Sequence, residues 1–213
     1  MIELANIAAS FVAYGLYEIY LKWVISRKPM KLARSAHATI RSNWVKSVMR
    51  RSGTEILVIQ TLRNSVMAAS FMATTAILAL SGSLTLSGIF NPDTKLWRAV
   101  HAGDVASIIF AAKLLLLVGS FFTSFLFMAM AVRFFNHAGY LITGEIGQAQ
   151  PSKNEIIAIS YLNRAGNCYS LGMRAFFACV PFLAGLFSSY LMFPATCFLI
   201  WILYWFDRLP DEG

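Results

Sequence analysis

Two long stretches of the sequence contain no charged residue, and they limit what the chain can fold into. One covers residues 65–92, and the other covers residues 175–206, which is 32 residues. A helix of about 20 apolar residues crosses the hydrocarbon core of a bilayer, so the first stretch is long enough for one span. The second stretch would be roughly 48 Å long as one helix, against a core of about 30 Å. Because 58% of the residues are hydrophobic and only 13% are charged, the composition excludes a soluble globular domain.

The apolar segments predict an all-α polytopic membrane protein with four or five spans in a single domain over residues 1–213. The spans are expected at about residues 5–25, 62–87, 105–132, 170–187 and 192–206. The last two result from a hairpin with a bend within residues 188–194, whereas a single long, Pro-kinked helix is the alternative and gives four spans. The N-terminal sequence MIELANIAAS lacks the basic region of a cleaved signal peptide, so the first span should be retained.

The net charge of +8 resides in one segment, because residues 27–54 contain eight basic residues and no acidic one. Four apolar residues at four-residue spacing predict an amphipathic helix in the plane of the membrane, with its basic side towards anionic headgroups. These residues are Ala36, Ile40, Trp44 and Val48. The predicted headgroup-binding residues are Arg27, Lys28, Lys31, Arg34, Arg41, Lys46, Arg50 and Arg51. A basic helix that packs on a soluble partner is the alternative.

The same segment predicts the orientation of the chain. Positive charge collects on the cytoplasmic side of membrane proteins, so the basic segment should be cytoplasmic and the N-terminus outside. The predicted location is the plasma membrane, which in a bacterium is the inner membrane. The segment is short and lacks base-reading or stacking elements, so nucleic-acid binding is not expected.

The second predicted span begins with polar residues and carries small residues on one face. Ser65, Ala69 and Ala73 recur every four residues, which lets the backbone of another helix approach closely. Five short spans enclose little room for a pore within one subunit. We therefore expect helix packing along this face and a homo-oligomer.

Charged and amide side chains near the span ends predict a polar cluster at the cytoplasmic boundary, where Glu18 would compensate an arginine. The predicted pore or polar-cluster residues are Glu18, Gln60, Arg63, Asn64, Lys113, Asn163, Arg164 and Arg174, of which Lys113 lies within the third span. Lys113 lies roughly 13 Å past Asp104 along a helix, which is deep for a side chain that reaches the membrane surface. The alternative is structural: Arg63 and Arg174 begin helices, reach the headgroups or pair once with Glu18.

Catalytic and metal-binding motifs are not found in the sequence. It contains no HExxH, CxxC, GxSxG or P-loop pattern, and the predicted topology separates His101 from His37 and His137. The three cysteines lie in or beside apolar runs and are interpreted as reduced, small hydrophobic residues. No enzymatic activity, metal or cofactor is therefore expected.

Three functional hypotheses remain. The excess of Arg63, Lys113 and Arg174 over Glu18 favours an oligomeric channel or transporter with anion preference. The alternative is a non-transporting scaffold or accessory subunit that binds anionic lipid and a membrane protein partner. A third hypothesis is a membrane enzyme that acts on a lipid or a quinone in a cleft containing Tyr and Arg side chains.

Several segments resemble one family in the order in which they occur. They are SNWVKSVM, QTLRNSVMAASFMATTAI at residues 60–77, LNRAGNCYSLGMRAFF at residues 162–177, the pair Pro181-Phe182, and LYWFD. Together they resemble the DUF599 family of membrane proteins, found in bacteria and plants. The family tends to have a W-x-F-G-P-like bend where this chain has AGLFSSYLMFP. The resemblance implies no activity, because the family has no known function. It identifies as motif positions Gln60, Arg63, Asn64, Asn163, Arg164 and Arg174.

Overall fold

The computed structural model describes residues 2–27, 33–88, 91, 93–147 and 152–207, and the regular structure in these ranges is helical. The helices are α1 (Ile2–Arg27), α2 (Ala33–Met49), α3 (Glu55–Ser87), α4 (Lys95–His101), α5 (Val105–Thr143), α6 (Lys153–Phe177), α7 (Cys179–Phe187) and α8 (Ser189–Asp207).

Four stretches of helix are long and apolar enough to cross a membrane. They are α3, α5, the combined Lys153–Phe187 segment of α6 and α7, and α8. The all-α membrane fold expected from the sequence is therefore confirmed. Helix α1, which contains the first predicted span, is not among these four, so its crossing of the membrane stays a prediction.

Side chains at the N-termini of three helices accept hydrogen bonds from free backbone N–H groups. Thr94 Oγ1 accepts from the Trp97 amide at 3.2 Å, and Ser152 Oγ accepts from the Glu155 amide at 3.1 Å. At the start of α5, Asp104 Oδ2 accepts from the side chain of Ser107 at 2.6 Å and from its amide at 3.0 Å. These two bonds lower the pKa of Asp104. Each cap fixes the residue at which its helix begins.

Helix α5 is the centre of the protein and packs against α3 and α6. At one end of α5, a Cβ atom placed on Gly139 would lie 3.3 Å from Leu62 Cδ1 of α3. Nearer its other end, Ser120 Oγ donates a hydrogen bond to the Ala175 carbonyl of α6 at 2.5 Å. The largest hydrophobic core lies along α5, α3, α6 and α2.

The last apolar run is a helical hairpin. Helix α7 ends at Phe187, Ser188 is extended with φ −156° and ψ 131°, and α8 begins at Ser189. Helix α8 then returns along the protein, because its last residue, Asp207, pairs with Arg174 of α6. The chain does not form the single long helix considered above, and Pro194 lies inside α8 instead of at the bend.

Helix α1 runs parallel to α8. Near one end, Asn6 Nδ2 donates to the Ser189 carbonyl at 3.3 Å, and at the other end Tyr17 Oη donates to Asp207 Oδ2 at 2.6 Å. Tyr17 and Leu21 of α1 and Leu199 and Leu203 of α8 form a second buried cluster. Because α1 and α8 run in the same direction, Glu18 of α1 is brought to the same end as Asp207.

Helix α2 lies along the first half of α6 in the opposite direction. Arg41 Nε donates to Asn163 Oδ1 at 3.1 Å, and near the end of α2 the Gly147 amide donates to the Met49 carbonyl at 2.8 Å. The predicted apolar stripe is divided between protein and surface: Ala36 and Val48 are buried, Trp44 is half-buried and Ile40 is exposed. Val48 belongs to the largest hydrophobic core, and Trp44 packs against it.

Candidate functional site

A buried arginine lies between two carboxylates contributed by different helices. Arg174 is only 7% exposed. Its Nη1 donates to Glu18 Oε1 at 2.9 Å, and its Nη2 donates to Asp207 Oδ1 at 2.6 Å and also to Oδ2. Tyr17 completes the group through its hydrogen bond to Asp207. We call Arg174, Glu18, Asp207 and Tyr17 the Arg174 cluster.

The charges of the Arg174 cluster do not cancel. One guanidinium faces two carboxylates, which gives one negative charge in excess when both acids are ionised. A charge inside a membrane protein is stable when it is paired and hydrogen-bonded, and each member here has such a partner. The cluster therefore links α1, α6 and α8 electrostatically.

Two cavities meet at the Arg174 cluster. The first has a volume of about 670 Å³ and lies among α2, α3, α5, α6 and α8. The second has a volume of about 510 Å³ and lies among α1, α5, α6 and α7. Arg174 lines both cavities, whereas Asp207 lines the first and Glu18 lines the second. The cluster is thus part of the wall that divides them.

The second cavity has a polar side next to the cluster. Besides Glu18, it is lined by Tyr14, Ser120 and Thr123, together with apolar residues of α5 and α7. One turn further along α5, Ser124 is fully buried, and its hydroxyl has no hydrogen-bond partner in the described part of the chain. Three residues with hydroxyl groups, Tyr14, Ser120 and Thr123, therefore line the second cavity together with Glu18.

A second arginine, Arg41, lies at the α2 side of the first cavity. Arg41 is half-buried, and its Nε is held by Asn163, which in turn donates to Ser42 Oγ at 3.2 Å. Burial lowers the pKa of Arg41, but a guanidinium stays charged at neutral pH. Within the described ranges no carboxylate pairs with Arg41, in contrast to Arg174. A Cβ atom on Gly166 would lie 2.5 Å from Arg41 Cζ, so the glycine leaves space for this side chain.

Lys113 lies at the other end of α8 from the Arg174 cluster. It is 5% exposed, and its Nζ donates to Ser189 Oγ at 2.6 Å. Ser189 and Asp207 begin and end α8, which places them roughly 27 Å apart at 1.5 Å per residue. Lys113 is therefore not a member of the Arg174 cluster.

Arg63 is also distant from Arg174. Its neighbour Leu62 packs at Gly139 of α5, whereas Ala175 contacts Ser120 of α5. These two positions of α5 are 19 residues apart, or roughly 28 Å along the helix. Four of the predicted cluster residues have exposed side chains on α3 or α6: Gln60, Arg63, Asn64 and Arg164. The predicted cluster is thus divided, and of its members the structure brings together Glu18 and Arg174 at one place and leaves Asn163 with Arg41 at another.

The other predicted residues occupy several environments. On α3, Ala69 is fully buried, while Ser65 and Ala73 are half-buried. Of the predicted headgroup-binding residues, Lys46, Arg50 and Arg51 are exposed. Lys28 and Lys31 lie outside the described residues, as do the side chains of Arg27 and Arg34.

Asp207 is a candidate functional residue that the sequence analysis does not identify. An acidic residue directly after a long uncharged run is nevertheless a signal in the sequence. Nothing in the spacing of the sequence points to the two cavities. Among the described residues, no group of three or more His, Cys, Asp or Glu side chains could hold a metal ion.

Comparison with known proteins identifies the family. Neither a curated protein nor a solved structure matches the chain. A family model described as a protein of unknown function, DUF599, matches residues 5–211, which is nearly the whole chain. The resemblance noted in the sequence is confirmed, and the chain belongs to the DUF599 family.

Proposed function

We propose that this protein is a membrane transporter in which the Arg174 cluster is the gate between two cavities of the same subunit. The observation that carries the proposal is that Arg174 lines both cavities, while its two carboxylate partners lie on opposite sides of it. Ionisable groups inside membrane spans are costly, and they often belong to ion or substrate pathways. Release of one carboxylate partner would let the guanidinium move and join the cavities.

The charge balance favours a cation, including a proton, over an anion. When both acids are ionised, the cluster has one negative charge in excess, and charged side chains along a pathway favour ions of the opposite sign. The anion preference inferred from the sequence depended on Arg63, Lys113 and Arg174 acting together. Because these three residues lie far apart, that argument loses its basis at this site.

The pathway runs within one subunit in this proposal. Lys113 is buried against Ser189, so it is not available to line an axial pore between subunits. Homo-oligomerisation remains part of the proposal, because Met67, Phe71 and Leu78 form an exposed apolar side of α3 that fits either lipid or a second copy. No enzymatic step is proposed.

A scaffold or accessory subunit is the second candidate. Two observations favour it: Arg174 is paired with both carboxylates inside the same subunit, and the two cavities are separate. In this case the cluster is a permanent link between α1, α6 and α8, and the protein serves a membrane partner without transport.

Cysteine accessibility distinguishes the two candidates without knowledge of the substrate. In a protein whose three native cysteines are replaced by alanine, Ser170→Cys reports on the first cavity and Thr123→Cys on the second. Each is reconstituted in liposomes and exposed to a membrane-impermeant maleimide on the side that labels Ser170→Cys. Each cysteine variant is measured with and without the added substitution Glu18→Gln. Glu55→Gln, at an exposed position, is the matched control.

A gate predicts that Glu18→Gln increases the labelling rate of Thr123→Cys about tenfold or more from that side, because loss of one strong charge-assisted hydrogen bond frees the guanidinium. The control Glu55→Gln should leave the rate unchanged. Equal labelling of Thr123→Cys in all backgrounds would instead support the permanent link and the scaffold.

A further inference from the structure

The walls of the first cavity are mostly apolar, which suits a lipid acyl chain. Its volume of about 670 Å³ falls within the range of roughly 300–1,000 Å³ that is usual for small-molecule sites. Most of its lining is apolar or aromatic, including Trp44, Tyr169, Phe177, Leu203 and Phe206. Four of the helices that form it, α3, α5, α6 and α8, belong to the stretches that are long and apolar enough to span a membrane. A lipid tail can therefore leave the bilayer and remain in an apolar environment.

The two arginines that line this cavity differ in whether a carboxylate compensates their positive charge. Arg174 is neutralised by Glu18 and Asp207. Arg41 has one hydrogen bond, from its Nε to the neutral Asn163, and no carboxylate partner in the part of the chain that the structure describes. The uncompensated positive charge of the cavity is therefore at its α2 side. An anion that binds here has its strongest attraction at Arg41.

The position of Arg41 suits an oxyanion. Asn163 holds Nε, which leaves the donors on Nη1 and Nη2 for a phosphate, and a guanidinium binds phosphate with two parallel N–H donors. His37, one helical turn earlier on α2, lines the same cavity. Gly166 gives the guanidinium room beside α6.

We infer that the first cavity binds an anionic phospholipid, with its phosphate on Arg41 and one acyl chain between α3, α6 and α8. The charge of Arg41 selects the headgroup, and the apolar walls select a lipid over a small soluble anion. This site does not depend on transport, because a bound lipid fits both the gated pathway and the scaffold. It is also distinct from headgroup contact along the exposed surface of α2, since the phosphate partner is a half-buried residue.

Native mass spectrometry of the full chain, released from nanodiscs, tests this inference. The probes are phosphatidylglycerol, which is anionic, and phosphatidylcholine, which is zwitterionic. Arg41→Gln removes the proposed phosphate partner, and Lys46→Gln is the matched control because it removes an exposed charge from the same helix. Ser170→Phe fills the cavity and leaves Arg41 in place.

The expected result is one tightly bound phosphatidylglycerol that Arg41→Gln weakens about tenfold or more, the size of one lost charge-assisted hydrogen bond. Ser170→Phe should weaken it similarly, while Lys46→Gln changes the affinity less than about twofold. Circular dichroism and gel filtration establish that each variant is folded.

Three outcomes would overturn the inference. Equal losses with Arg41→Gln and Lys46→Gln would mean a diffuse electrostatic surface. Equal binding of phosphatidylcholine would mean that the charge of Arg41 has no role. Competition by glycerol 3-phosphate as strong as by the intact lipid would mean that the ligand is a soluble phosphate without an acyl chain.

Discussion

Arg174→Met removes the positive charge of the Arg174 cluster while it keeps a long side chain of helix-forming character. In the native protein this guanidinium donates to Glu18 at 2.9 Å and to Asp207 at 2.6 Å. The substitution leaves both carboxylates without their cation, and their side chains are only 31% and 19% exposed. The variant therefore contains two carboxylates close together in a mostly apolar region.

The expected cost is large for a single substitution. Removal of one partner from a buried ion pair costs about 3–5 kcal/mol, because the other charge remains desolvated and unpaired. A protein of this size loses about 2–4 °C of Tm per kcal/mol, so the expected decrease is roughly 6–20 °C. Because the two carboxylates are partly exposed to solvent, the expected decrease in Tm lies towards the lower end of this range.

The assay is thermal unfolding in detergent, with a second variant that separates charge from packing. Glu18→Gln and Asp207→Asn, added to Arg174→Met, leave neutral side chains of similar shape at all three positions. If unpaired charge is the cause, this triple variant should recover at least half of the lost Tm, because neutral polar groups are cheaper to bury. A Tm of Arg174→Met within about 2 °C of the native value, or a triple variant no more stable than the single one, would refute the argument.

Two further predictions concern Arg41 and the start of α5. Gly166→Ala should move the Arg41 guanidinium away from Asn163 without unfolding the protein, because the atoms that would meet the new Cβ belong to the end of a flexible side chain. Its affinity for phosphatidylglycerol should fall several-fold with little change in Tm, and Gly119→Ala, which meets no atom within 4 Å, is the control. At the start of α5, hydrogen bonds from Ser107 hold the pKa of Asp104 below its ordinary value of 3.8. Its stabilising effect is therefore present above that value and is lost as the pH falls through the lower folded value, so Asp104→Asn should reduce the pH dependence of Tm below about pH 4.

The helices of this protein could be predicted from its sequence because their signals are local. Uncharged runs longer than a bilayer requires identify the spans. The length of the run at residues 175–206 also favours a hairpin, and the structure breaks this run at Ser188. The pairing of Glu18 with an arginine was expected as well, since a charge in such an apolar chain needs a partner.

The membership of the cluster could not be predicted in full, because it depends on how far each helix extends and which faces meet. Arg63 and Arg174 were placed at one level by treating every span as one bilayer thickness. Helices α3 and α5 contain 33 and 39 residues, so they continue well beyond the length of a single span, and Arg63 lies on the extended part of α3. The sequence predicts Arg41 as a contact to headgroups because it lies in a basic segment, and the packing of α2 on α6 places it beside a cavity.

Asp207 changes the chemistry that can be assigned to Arg174. With Glu18 alone, the guanidinium would form a neutral pair, and a gate could open only by exposing an unpaired charge to an apolar environment. In the proposed gate, Arg174 releases Glu18 and stays paired with Asp207, so that the charge of the guanidinium remains compensated when the cavities join. The cost of opening then falls on Glu18, whose charge a bound cation can compensate. A gate of this kind is therefore physically linked to a cation, which is why the cysteine-accessibility test substitutes Glu18 and not Asp207.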